Sequence, residues 1–366
     1  MQREYKVIQW GAGYTGKFSL QYILGTPQLK LVGVKCFTAD KEGVDAGIIA
    51  DVAPVGVTAT RDTKTLLALE ADCVIYMPRD ALADPSVPGS PSAAWVADLV
   101  ALLESGKNVV SSLAPPGHWG HLMHGESFRK RLQDACIKGK STLFFTGFDP
   151  GFTTDALAFC LSSVVGRITQ IRTWEILDYS TYPVPEIMHT MGFGMRPETL
   201  SATAANITLM TWGSAVHVLG DAFGVRIDDI TVEPDIYLAP QAYVTTGGTR
   251  IDAGTIAALR FAVVGHVRGK RRFVINHVTR MGQDVAPEWP RLGRDGGYRI
   301  EIDAFPPFRG DFPMGEEGGT GASFSDAMAM TAARCVNSIE AVVSAGPGYR
   351  TFLELAPLGG KYALAE

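Results

Sequence analysis

The chain has 366 residues, 46% of them hydrophobic and 19% charged, and a formal net charge of −5. That length predicts more than one core, and the apolar share excludes an intrinsically disordered chain. The acidic balance argues against nucleic acid as a partner, and the one basic run, Arg268-Gly269-Lys270-Arg271-Arg272, reads as an exposed hairpin turn.

The first element is a strand, Tyr5-Lys6-Val7-Ile8-Gln9-Trp10, rich in β-formers. It runs into Gly11-Ala12-Gly13-Tyr14-Thr15-Gly16, and residues 17–24 continue as a helix closed by Gly25. Strand, G-x-G-x-x-G turn and helix is the dinucleotide-binding order: Gly11 makes the tight turn, Gly13 admits a pyrophosphate and Gly16 lets the helix pack on its strand. The helix N-terminus then offers N–H groups and a partial positive charge to the phosphates, so Gly11, Gly13, Tyr14, Thr15 and Gly16 are cofactor-binding candidates.

The second strand, residues 30–36, should end in the residue that inspects the adenosine ribose. It ends in Cys36-Phe37-Thr38, without the Asp or Glu that would hold the 2′-hydroxyl of NAD; the nearest acid, Asp40, lies beyond it with Lys41 alongside. NADP is therefore the favoured cofactor and NAD the other candidate, with Thr38 as hydrogen-bond donor and Lys41 as charge for a 2′-phosphate. The competing reading of Lys41 is a solvated loop lysine.

Strands and helices then alternate as a doubly wound sheet requires. Strands are predicted at 55–60, 71–77, 107–112 and 141–147, with helices at 63–70, 93–104 and about 127–137. Ligands in such sheets sit at the carboxyl ends of the strands, which brings Tyr76, Met77, Pro78, Ser111 and Asp149 into the cofactor set. Asp149 has an alternative role as the N-cap of a helix predicted over 152–165. Beyond it the strands lengthen and alternate, at 170–177, 256–267, 272–280 and 298–304, with one helix at about 204–223. Residues 306–322 read as a mobile Gly/Pro-rich loop, and 324–345 as a long helix.

The predicted fold class is therefore α/β. A Rossmann dinucleotide-binding domain spans residues 1–148, and an α+β substrate-binding and dimerisation domain with an open, largely antiparallel sheet spans 149–321. A C-terminal helix and tail, 322–366, should pack back on the Rossmann domain. Five scattered cysteines without a C-x-x-C pair fit a reducing compartment, and neither a secretory h-region nor a bilayer-length apolar stretch is legible. The expectation is a cytoplasmic protein with no membrane partner.

Several segments together, Ile8 to Gly16, Leu31-Val32-Gly33-Val34, Gly106 to Val110, Gly147-Phe148-Asp149-Pro150-Gly151-Phe152, Met191-Gly192-Phe193-Gly194 and Gly220 to Val225, carry a resemblance. The chain resembles the dihydrodipicolinate-reductase-like proteins that include the 2,4-diaminopentanoate dehydrogenases, in an uncharacterised actinobacterial-type branch. The resemblance covers nearly the whole chain; the Asp-Pro-Gly-Phe junction and Val336-Asn337-Ser338-Ile339 are its more particular parts. It implies a two-domain NAD(P)-dependent oxidoreductase, a homodimer, acting on a C=N or C=O carbon.

Two departures limit what the resemblance transfers. The paired-histidine and Pro-Ser-Gly-Thr segments of dihydrodipicolinate reductases have no counterpart here. The amine dehydrogenases of the group carry a catalytic glutamate in a Cys-Glu-Glu segment after the strand equivalent to 108–112, where this chain reads Leu113-Ala114-Pro115-Pro116.

A hydride transfer needs a proton donor or acceptor near the reacting carbon's heteroatom. The catalytic candidates are His118, in the loop after the Pro-Pro-Gly turn, and Glu175, between apolar neighbours in a strand. For His118 the competing reading is a surface loop histidine; for Glu175 it is a solvent-facing side chain. In a desolvated cleft the Glu175 pKa would rise, making it a proton donor or an amine anchor. His118, His121 and His124 lack metal-site spacing, so no metal is expected. Trp119, Phe148, Trp174, Tyr179, Tyr182 and Phe193 predict a small hydrophobic substrate, a ketone, imine or amine. The alternative function is a non-catalytic NADP(H)-binding sensor that keeps the fold.

Overall fold

The computed structural model describes residues 3–78, 91–113, 126–182, 185–199, 202–293, 296–315 and 324–361. Its strands, in chain order, are β1 (Tyr5–Trp10), β2 (Leu29–Lys35), β3 (Ala59–Thr60), β4 (Cys73–Tyr76), β5 (Asn108–Ser111), β6 (Thr142–Phe145), β7 (Gly166–Asp178) and β8 (Asp229–Leu238). They continue with β9 (Tyr243–Val244), β10 (Arg250–Ile251), β11 (Ile256–Val267), β12 (Lys270–Arg280), β13 (Gly296–Phe305), β14 (Phe308–Pro313) and β15 (Gly348–Arg350). The chain divides into two compact units, Met1–Phe152 with Met328–Glu366, and Thr153–Ala327.

The first unit is built on a parallel sheet in the order β15-β6-β5-β4-β1-β2-β3. The order reverses between β1 and β4, the switch point at which such sheets receive a nucleotide beyond the strand ends. Both faces are covered, which is why β4 and β6 are buried along their whole length and, Thr142 apart, are apolar. Val7, Leu20, Ile23, Val34 and Ile75 share one core with Ala332, Cys335, Val336, Ile339 and Val342 from the C-terminal helices. Ile8, Trp10, Val74 and Tyr76 point the other way, into a second core with Leu99, Leu103, Leu132 and Cys136. The C-terminal segment thus finishes the sheet with β15 and covers one of its faces.

The second unit holds a sheet in the order β14-β13-β7-β12-β11-β8, antiparallel except where β7 lies parallel to β12. Helices Ala156–Ser162 and Ala202–Ala222 supply Ala158, Ala215, Val216 and Leu219 to a core with Ile171, Val263, Phe273, Ile275, Ile300 and Ile302 on one sheet face. β11 and β12 are joined through Arg268 and Gly269, both at positive φ (52° and 69°), the backbone a two-residue hairpin requires.

Some predicted bounds move, each for a local reason. The strand expected at 55–60 shrinks to Ala59–Thr60, because Gly56 turns at φ +79° and Val55 is exposed. The helix expected from Phe152 starts at Ala156, because residues 149–155 run through turns instead; its cap is Asp155, not Asp149. The helix expected over 324–345 is two, Phe324–Asn337 and Ile339–Ser344. β14 arises inside the segment expected to be a loop, where Phe308–Phe312 pair with Ile302–Tyr298. Among the described residues no helix is long and apolar enough to cross a membrane.

Candidate functional site

The glycine turn of the first unit is fixed almost entirely by backbone. Gly11 sits at φ +106°, and a Cβ there would lie 2.2 Å from the Met77 carbonyl oxygen; one on Gly16 would lie 2.0 Å from the Gly11 carbonyl oxygen. Only glycine lets β1, the turn and helix Tyr14–Gly25 close on one another in this way. Gly13, the residue before that helix, has nothing within 4 Å of the position a Cβ would take. The first helical turn carries no acidic side chain. A bare helix N-terminus behind an open glycine is the cradle a pyrophosphate needs, so these residues fit a dinucleotide.

Gln9, which the sequence reading passed over, braces this turn. Its buried amide donates to the Gly11 carbonyl at 2.9 Å and its oxygen accepts from Ser19 at 2.6 Å. Thr15 donates to the Met328 sulfur at 3.2 Å, and Tyr14 is half exposed, edge-on to Phe18.

At the end of β2, the Lys41 ammonium donates to the Ala12 carbonyl, so it stands at the glycine turn. Thr38 is engaged with Asp40, and that hydrogen bond holds the Asp40 carboxyl below its ordinary range. The strand ends assigned to the cofactor divide. Met77 and Pro78 abut Gly11 through backbone. The Tyr76 side chain instead turns into the core, stacked on Trp10 at 6.2 Å with its hydroxyl on the Trp95 carbonyl at 3.2 Å. Ser111, also fully buried, donates to the Tyr76 carbonyl at 3.1 Å. Both side chains are committed inside the sheet, a consequence of strand alternation that the sequence-level assignment missed.

His118 and Trp119 lie outside the described residues. Leu113, where the resemblance led to an expected acidic segment, is buried. Asp149 is half-buried, and Phe148 stacks on Phe152 at 5.9 Å, whose other neighbour is the Arg334 guanidinium at 5.2 Å.

The second unit contains a charged constellation that no short motif announces. Phe261, His277, Glu175 and Tyr298 occupy one register row across β11, β12, β7 and β13, so their side chains emerge on the same face. Tyr298 donates to Glu175 Oε2 at 2.7 Å; Tyr179, just past the end of β7, donates to Oε1 at 3.1 Å, and His277 Nδ1 lies 3.3 Å from Oε1. Phe261 stacks on the His277 ring at 4.6 Å, and Trp212 meets it edge-on at 4.4 Å. Glu175 is 7% exposed and His277 3%.

Burial by itself pushes the Glu175 carboxyl up, as expected from the sequence. The charge of His277 and the hydrogen bonds from His277, Tyr298 and Tyr179 outweigh it, and the carboxyl is held below its ordinary value. The group is therefore a carboxylate: an acceptor of protons and an anchor for cations, and not the acid that desolvation alone would have made. An ionised carboxylate has about four acceptor positions. Among the described residues three are used, which leaves one on Oε2 for a further donor.

Two aromatic assignments do not join this cluster. Trp174 neighbours Glu175 in the strand, so the pleat sends it to the opposite face, where its indole donates to Glu301 at 3.0 Å. Phe193 is fully buried, leaving no surface for a ligand. Tyr179 does meet Glu175, and Tyr182, buried, is tied by its N–H to the Tyr179 carbonyl at 3.0 Å. His277 and Tyr298 were missed because their link to Glu175 is a matter of strand register. The available signal was Glu175, His277 and Tyr298, each at a position in step with the core-facing isoleucines of its strand.

Residues 152–360 match the 2,4-diaminopentanoate dehydrogenase C-terminal domain. An amine dehydrogenase of Streptomyces virginiae is 32% identical over 355 residues, covering 95% of each chain. A 2,4-diaminopentanoate dehydrogenase of Acetoanaerobium sticklandii is 23% identical over 258 residues, 69% of this chain and 68% of that one. The solved amine dehydrogenase of Mycobacterium smegmatis superposes with a TM-score of 0.76 at 16% identity, over 98% of both chains, and so shares the fold.

Proposed function

This chain belongs to the 2,4-diaminopentanoate dehydrogenase family and is an NAD(P)-dependent oxidoreductase, and we propose that it interconverts an apolar amine with its imine or carbonyl counterpart. The observation that carries this reading is the buried Glu175 carboxylate with His277, Tyr298 and Tyr179 on its oxygens. An ionised carboxylate held by Tyr179 and Tyr298, beside an imidazole packed on Trp212 and Phe261, suits a cationic or protonated nitrogen on an apolar substrate better than it suits a neutral ketone. We take the cofactor to be NADP, supported by Lys41 at the glycine turn and by the lack of an acid at the end of β2.

A bound nicotinamide supplies the hydride acceptor or donor. The chain's own residues handle the proton. Glu175 accepts it from the substrate nitrogen, or from water attacking the imine, at the free position on Oε2; Tyr298 and Tyr179 hold the carboxylate plane, and His277 stabilises its charge from the Oε1 side. This assigns to the second unit the base that relatives carry after β5, where Leu113 stands here.

Apolar primary amines offered with NADP, and the matching ketones offered with ammonia and NADPH, test the activity by the absorbance of the reduced cofactor. Turnover is expected in both directions, and Glu175→Gln should lower kcat about 10²–10⁴-fold with cofactor affinity unchanged. Full turnover by Glu175→Gln would remove Glu175 from the chemistry.

A further inference from the structure

The end of β3 carries an arginine to which no role in cofactor binding has yet been given. Arg61 follows β3 directly, and β3 pairs with the end of β2, where Cys36 N–H donates to the Thr60 carbonyl at 3.0 Å. Its backbone is pinned from two sides: the carbonyl accepts from the buried Lys35 ammonium, and the N–H donates to Glu42 at 2.8 Å. Its side chain is anchored too, Nε donating to the same Glu42 oxygen at 2.9 Å, while Thr60 donates to the other oxygen at 3.0 Å. The two terminal amino groups have no hydrogen-bond partner among the described residues, and the side chain is 54% exposed.

This is an arginine with its stem fixed and its terminal donors unspent. Past the end of β2, Lys41 uses one of its three ammonium protons on the Ala12 carbonyl and, among the described residues, keeps two. Of the nearby carboxylates, Asp40 is engaged with Thr38, and Glu42 has three of its about four acceptor positions filled by Thr60 and by Arg61 itself. Phe37, at 48% exposure, adds an apolar ring just past the end of β2, with the Lys35 ammonium 5.6 Å from its centre. Two cations with spare donors and an exposed aromatic face are what a phosphorylated adenosine requires, and a free 2′-hydroxyl would leave the cations idle.

We propose that Arg61, together with Lys41, is the specificity-determining pair that recognises the 2′-phosphate of the cofactor's adenosine. The inference rests on the reading of the first unit as a dinucleotide site and deepens it, because it names the residue that separates NADP from NAD.

Calorimetric titration of the full chain with adenosine 2′,5′-bisphosphate and with 5′-AMP tests the pair without relying on turnover. The bisphosphate is expected to bind about tenfold or more tightly than 5′-AMP, as charge-assisted hydrogen bonds to one phosphate would give. Arg61→Ala should abolish most of that margin and leave 5′-AMP within about twofold. Arg61→Lys, which keeps the charge but loses the anchored fork, should recover part of the margin, and this separates recognition from a folding defect. Equal binding of the two nucleotides by the unaltered chain, or an equal loss of both in Arg61→Ala, would overturn the proposal. Binding of neither nucleotide, nor of NADH or NADPH, would overturn the dinucleotide reading beneath it.

Discussion

The glycine turn of the first unit and the Glu175 cluster of the second are both preorganised, yet they are assembled from opposite materials. The turn is made of backbone from six consecutive residues, and its shape is enforced by what glycine lacks: a Cβ on Gly16 would stand 2.0 Å from the Gly11 carbonyl oxygen. The cluster is made of side chains from residues 175, 179, 277 and 298, brought together only because three strands settle in one register. A site of the first kind depends on local sterics, whereas a site of the second kind depends on charge compensation inside a sheet. They should therefore fail in different ways.

The sharpest break of the comparison is Gly16→Ala. It should abolish nucleotide binding outright, because backbone meets backbone and no side chain can move aside; wild-type affinity for NADPH by calorimetry would show that the turn tolerates what the geometry forbids. Next in size, His277→Leu should destabilise the chain by about 3–5 kcal/mol in urea denaturation, since it strands a buried carboxylate. Glu175→Gln with His277→Leu should recover part of that loss, and a strictly additive double variant would mean the two groups are not coupled. The smallest effect belongs to Trp174→Phe. Though adjacent to Glu175 in sequence, Trp174 lies on the other sheet face, so kcat should stay within about twofold; a large loss would contradict the assignment of faces.

What the sequence made legible follows the same division. The βαβ start, the alternation of strands and helices that follows it, the β11–β12 hairpin and the parts of Gly11 and Gly16 in the turn all rest on short-range pattern, and all were readable. Glu175 was singled out with a solvent-facing side chain as the competing reading, and its charge state in a cleft was read from desolvation alone. The partners that reverse the shift sit 102 and 123 positions further on, in strands whose register no local pattern fixes. Trp174 and Phe193 were grouped with the site because aromatic content marks both cores and pockets, and pleat and burial separate the two. Arg61 was passed over because its anchoring by Lys35 and Glu42 needs β2, β3 and the turn between them in place.

The central claim is that Glu175 is a buried carboxylate, ready to take a proton. Infrared difference spectroscopy between the wild type and Glu175→Gln reads that charge directly. With the folded pKa held below the ordinary 4.5, the carboxylate's contribution to stability is present above the unfolded value and is lost as the pH falls through the folded one. The account predicts a carboxylate band for Glu175 at neutral pH that persists as the pH is lowered to about 4.5. A protonated carboxyl band at neutral pH would contradict it and return Glu175 to the role of an acid.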